Sequence, residues 1–120
     1  EVQFESYLLE DADIAVVAFG AAARMAKSAV NEARQNGIKV GLFRPISLWP
    51  FPSQELLALK EKIKHLLCVE MNMGKMVEDV KLAVNGTIPV TFYGRTGGCI
   101  PSPEEIIKEI ITLDKKYKKG

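Results

Sequence analysis

Four short, strongly apolar runs, each followed by a segment with helical spacing, decide most of what this chain can fold into. They are IAVVAF (14–19), VGLF (40–43), HLLCVE (65–70) and VTFY (90–93). The first is continuous rather than alternating, so both of its faces must be covered. Between the runs, apolar residues recur every three or four positions, as on one face of a helix. Parallel neighbours need long crossovers, and a helix used as a crossover lands on a face of the sheet. The pattern therefore predicts a three-layer α/β domain. Its sheet is mainly parallel, with four to five strands and helices on both faces. Right-handed crossovers favour the doubly wound order 2-1-3-4, counting those four strands along the chain.

Local signals place the helices. AAARMAKSAVNEARQN follows Gly20 and carries Met25, Ala29, Val30 and Ala33 on one face, and Asn36-Gly37 stops it in a conformation that Gly tolerates. Pro45, Pro50 and Pro52 make the stretch after the second strand a stiff loop with aromatic anchors. A helix from Ser53, its expected cap, to about Lys64 follows, with Leu56, Leu57 and Ile63 as its buried stripe. Met73, Met76, Val77, Val80 and Val84 share one face of a helix that begins near Gly74, with Asn72 as cap. Ser102-Pro103-Glu104-Glu105 is the sharpest local signal: serine cap, proline at the first helical position, glutamate three residues after the cap. Ile106, Ile107, Ile110, Ile111 and Tyr117 form the stripe of that last helix.

A chain of 120 residues suffices for one domain and its core, here assigned to residues 13–113. Residues 1–12 read as a linker remnant or an edge strand, and 114–120 as a lysine-rich tail. Sixteen basic and fifteen acidic side chains give a net charge of +1, without the basic excess of a nucleic-acid binder. The lysines of KKYKKG suit the negative end of a helix dipole, the alternative being contact with RNA or acidic lipid. No apolar run approaches a membrane span, and the acidic start is no signal peptide, so a cytoplasmic setting is expected. Cys68, Cys99 and the single histidine, His65, make no zinc set. Asn85-Gly86-Thr87 reads as a turn rather than a glycosylation site.

Ligands of open parallel sheets bind beyond the carboxyl ends of the strands, and four turns lie there. Gly20-Ala21-Ala22 lacks the further glycines of a dinucleotide fingerprint and the lysine of a P-loop, and reads as a tight turn. Arg44-Pro45-Ile46 is the second. In Glu70-Met71-Asn72-Met73-Gly74 the carboxylate is either a general acid or base, or an acceptor for the N–H groups of a helix start, the more modest role. Gly94, Arg95, Thr96, Gly97 and Gly98 read as a protein-contact loop, a mobile loop or an anion nest. No nucleophile–base–orienter set can be assembled. His65 opens a strand at the end away from the cleft, and Cys99 has no base beside it. Catalytic, cofactor-binding and metal-ligating residues are thus expected to be none. Glu70, Asn72, Gly94, Arg95, Thr96, Gly97 and Gly98 remain as candidate interface or anion contacts.

The stretches DADIAVVAFG, GLFRPISLWPFP, VEMNMGKMVEDVKLAVNG and VTFYGRTGGCIPSPEEI resemble the C-terminal part of the alpha chain of 2-oxoacid:ferredoxin oxidoreductases. The resemblance implies a transketolase C-terminal-like fold. It also implies membership of a complex that decarboxylates a 2-oxoacid with thiamine diphosphate, passes the acyl group to coenzyme A, and sends electrons through iron–sulfur clusters to ferredoxin. The implied partners are the rest of the alpha chain and the beta subunit, with gamma and delta subunits in some assemblies. This chain carries no GDG…N diphosphate motif with its magnesium ligands and no cysteine set for a cluster. It is therefore expected to scaffold such an enzyme, to bind none of these cofactors itself and to be inactive alone. A free-standing nucleotide- or phosphate-binding module is the alternative, against which FGAAAR argues.

Overall fold

The computed structural model describes residues 3–46, 51–71, 75–94 and 99–119. Five strands form one sheet: β1 (Phe4–Tyr7), β2 (Ile14–Val17), β3 (Val40–Pro45), β4 (His65–Glu70) and β5 (Val90–Gly94), in the order β1-β3-β2-β4-β5. The last four run parallel in the order expected, and β1 joins antiparallel to β3 as a fifth, edge strand, with Glu5 opposite Arg44. Helices α1 (Gly20–Gln35), α2 (Ser53–Leu57), α3 (Lys75–Val84) and α4 (Pro103–Lys119) make the connections and the end.

Side-chain alternation along the strands divides the core into two layers. Ile14 and Val16 of β2, Val40 and Leu42 of β3, and Leu67 and Val69 of β4 pack on one face against α1 and α4. Ala15, Val17, Phe43, Leu66 and Cys68 face the other way, onto Leu56, Met76, Val77, Val80 and Val84 of α2 and α3. All these side chains are buried, as continuous apolar strands require. Arg34, near the end of α1, ties the amino edge together, donating from Nε to the Val40 carbonyl at 2.7 Å and from a terminal nitrogen to the Leu8 carbonyl at 2.7 Å.

The second helix differs from its expectation. It is only Ser53–Leu57, continued by a 3-10 turn over Ala58–Glu61. Ser53 does not cap it: the cap position is Pro52, with no side-chain bond. Pro52 has φ −75° and ψ 64°, an inverse γ-turn, and the Ser53 N–H donates to the Phe51 carbonyl at 2.7 Å. That turn starts the helix one residue early. Leu59 lies buried on the 3-10 turn, where the expected stripe had no residue, and Ile63 is buried beyond it. The chain then enters β4 with the Lys64 N–H donating to the Asp13 carbonyl.

The last helix starts at Pro103 and runs on through the lysines to Lys119. Ile106, Ile107 and Ile110 are buried and Ile111 half-buried, as is expected of the stripe, and Leu113 adds to it. The Tyr117 side chain lies outside the described positions. Among the described residues, no helix is long and apolar enough to cross a membrane.

Candidate functional site

Strand order reverses between β2 and β4: the chain steps from β2 outward to β3, and on the other side from β4 outward to β5. Glu70 ends β4 beside that reversal, and Gly94 ends β5 directly opposite it in the ladder. The pairing of parallel strands therefore brings two of the sequence-derived candidates together. Asn72, Arg95, Thr96, Gly97 and Gly98 lie outside the described residues, as does the expected Asn72 cap.

Glu70 is a charged residue buried in the core, 3% exposed. One carboxylate oxygen accepts the Met76 N–H at 2.8 Å and the Val77 N–H at 3.1 Å, and the other accepts Met76 at 3.2 Å. Those are orphan donors of the first turn of α3, which a negative group at a helix start also suits electrostatically. Of the two roles open to Glu70, the structure displays the structural one.

Gly94 is small because its neighbours are close. A Cβ there would come within 2.8 Å of the Glu70 carbonyl oxygen and 2.4 Å of the Phe92 ring. The next residue before it is also held: Tyr93 donates its hydroxyl proton to one oxygen of Glu105 at 2.6 Å. The other Glu105 oxygen accepts the Ser102 N–H at 2.9 Å, and the Ser102 hydroxyl accepts the Glu105 N–H at 3.2 Å. The capping box read from sequence is thus in place. The Tyr93 contact across to it was not legible, because nothing local links a strand end to a helix start nine positions beyond. Residues 95–98 are bracketed by Gly94, paired to Glu70, and by Ser102, paired to Glu105.

The remaining reactive groups lie elsewhere. Cys68 is buried, and burial, reinforced by Glu70, pushes its thiol far up, so it offers no thiolate. Cys99 is exposed. His65 opens β4 at the amino edge, its Nε2 2.7 Å from the Thr91 hydroxyl on β5. Burial, then Lys116, lowers its pKa. Among the described residues no three His, Cys, Asp or Glu side chains come together to hold a metal ion. The donor sets of a magnesium-held diphosphate or of a cysteine-ligated cluster do not fit these residues.

Residues 12–106 match the family of pyruvate:ferredoxin oxidoreductase core domain II. The ketoisovalerate oxidoreductase subunit VorB of Methanothermobacter marburgensis is 46% identical over 110 residues, which is 92% of this chain and 31% of that subunit. The 2-oxoglutarate synthase subunit KorA of Methanothermobacter thermautotrophicus is 38% identical over 108 residues, 90% of this chain and 29% of that one. The chain thus spans about a third of the length of the curated relatives it matches. In fold it is similar to 2-oxoglutarate:ferredoxin oxidoreductase from Magnetococcus marinus. The TM-score is 0.79 at 23% identity, covering 92% of this chain and 19% of the other. It is also similar to a split-gene transketolase, with a TM-score of 0.77 at 18% identity, covering 92% and 41%. The transketolase C-terminal-like fold is therefore confirmed, and with 95 matched positions from 12 to 106 the chain belongs to the family of pyruvate:ferredoxin oxidoreductase core domain II.

Proposed function

We propose that this chain serves as the second core domain of a 2-oxoacid:ferredoxin oxidoreductase subunit in the cytoplasm. The complex would decarboxylate a 2-oxoacid oxidatively, form the acyl-CoA and reduce ferredoxin. Thiamine diphosphate, magnesium, coenzyme A and the iron–sulfur clusters would be bound by its other parts. Similarity to VorB and KorA subunits supports the assignment, and the match over residues 12–106 disfavours the free-standing module. Locally the domain acts as a frame that presents the carboxyl edge of its sheet, with Arg95 and its flanking glycines, to the partner domains and the beta subunit. The observation that carries this reading is the use of two carboxylates beside the β4–β5 end of that edge, Glu70 and Glu105, as acceptors for N–H and hydroxyl donors of the fold itself.

The test is the full-length subunit co-purified with its partner subunits. Reduction of ferredoxin should depend on a 2-oxoacid and coenzyme A, with ketoisovalerate, 2-oxoglutarate and pyruvate compared as substrates. Arg95→Ala should weaken subunit association or activity in that complex, while changing the stability of the 120-residue chain by less than about 0.5 kcal/mol. Unchanged association and activity, or an unfolded fragment, would overturn the interface reading. The 120-residue chain alone should show no thiamine diphosphate binding tighter than about 10 μM, some −7 kcal/mol, by calorimetry with magnesium present.

A further inference from the structure

On the other half of the carboxyl edge, over β1 and β3, a cavity of about 230 Å³ is lined by Glu5, Gly20, Ala23, Arg24, Lys27, Leu42 and Arg44. Three elements supply its charge: Arg24 and Lys27 from α1, Arg44 from β3 and Glu5 from β1. Glu5 pairs with Arg44 at 3.2 Å and with Lys27 at 3.8 Å. Three cations against one carboxylate leave two positive charges unmatched in the lining.

The hydrogen-bond inventory points the same way. Arg24 is exposed and has no side-chain partner among the described residues. The Arg44 Nε–H is shut off from solvent and has no acceptor among them. In a native fold such a donor is met by an ordered water or by a bound ligand. At the wall, Gly20 has φ +63°, and a Cβ added there would meet nothing within 4 Å, so the space above it is open. The first turn of α1 carries no acidic residue, in contrast to those of α3 and α4.

We propose that this cavity binds a phosphate-type dianion, with Arg24, Lys27 and Arg44 as its ligands. Two negative charges match the two that Glu5 leaves uncompensated. A guanidinium fork suits the tetrahedral oxygens of phosphate, and the Lys27 ammonium adds a point charge. The volume is below the roughly 300–1,000 Å³ of sites for drug-sized ligands, which selects a small anion over a whole nucleotide. The site is separate from the Glu70–Gly94 edge and does not rest on the proposed membership of the oxidoreductase complex.

Inorganic phosphate, pyrophosphate and succinate, each added to the 120-residue chain at constant ionic strength, provide the test by amide NMR. Phosphate and pyrophosphate should each shift the amides of Gly20, Ala23 and Arg44 along a saturating curve. Arg44→Gln should reduce the affinity about tenfold. Arg24→Gln, at an exposed position without a side-chain partner among the described residues, should reduce it several-fold in a chain that folds normally. Shifts reproduced by sodium chloride alone, or undiminished in Arg24→Gln, would overturn the site. Succinate binding as tightly as pyrophosphate would overturn its assignment to phosphate.

Discussion

Helices α3 and α4 both leave the carboxyl edge, but they are begun by different means. The start of α4 is capped within four residues, by Ser102 and Glu105 exchanging bonds with each other's backbone N–H groups. The start of α3 is capped from another element: Glu70, the last residue of β4, accepts from Met76 and Val77. A local box only sets where a helix begins. A strand-borne carboxylate also fixes where the helix sits against the sheet, and it does so from a buried position. The α3 start is therefore bound to the register of the strand pair that carries Gly94 by the strand's own carboxylate, whereas the α4 start meets that pair through the Tyr93 hydroxyl.

The comparison breaks most directly at Glu70. Glu70→Ala removes a charged acceptor and leaves two helix-start donors without it, which should cost the chain about 3 kcal/mol. Hydrogen exchange should accelerate at Met76 and Val77 more than at Ile106. If the loss were no larger than that from removing the Ser102 box, the strand-borne cap would have no special weight.

Gly94→Ala sharpens the same point from the partner strand and is expected to cost about 2 kcal/mol. The Phe92 ring is 41% exposed and can swing away from the new methyl. The Glu70 carbonyl, 2.8 Å from that Cβ, is backbone and cannot. The substitution should therefore disturb the ladder at Glu70 and, through it, the α3 cap. Denaturant melts of Gly94→Ala, Glu70→Ala and the double variant measure this, and a double variant that is simply additive would show the two to be independent.

Ser102→Ala is the local counterpart and should cost about 1 kcal/mol, lowering the melting temperature by a few degrees. An unchanged melting temperature would mean that the box adds nothing to a start already set by Pro103.

The contrast also explains what was legible in the sequence. The strand limits His65–Glu70 and the start of α4 at Pro103 follow from neighbours along the chain, and so did the four-strand order once chirality was applied. The Ser53 cap misled because a serine before a helical run outweighed the turn that Pro52 imposes one residue earlier. Of the candidate site, Glu70 and Gly94 could be placed together because parallel neighbours end at the same edge. The cationic cavity could not be read, since Glu5, Arg24, Lys27 and Arg44 come from three elements that only the folded sheet assembles. Its one sequence trace is Gly20, Arg24 and Lys27 at spacings of four and three along the first helix, off the apolar stripe.

The amino ends of β4 and β5 supply the smallest effect. There His65 meets the Thr91 hydroxyl in a half-buried pair, with no helix start depending on it. Burial, reinforced by Lys116, holds the His65 pKa below 6.5 in the folded chain. The unfolded chain therefore takes up the proton first as the pH falls. The sign follows: the fold's advantage is full above the unfolded value of 6.5 and is lost as the pH drops toward the folded one. Between about pH 7.5 and 5.5, above the range where most carboxylates titrate, the melting temperature should decline gently. His65→Gln keeps a partner for Thr91 and removes the titration, so its melting temperature should stay flat across the same window. A decline of equal slope in both proteins would assign the pH dependence to another group. It would leave the carboxyl edge, with its buried Glu70, as the end of this strand pair where a polar side chain governs stability.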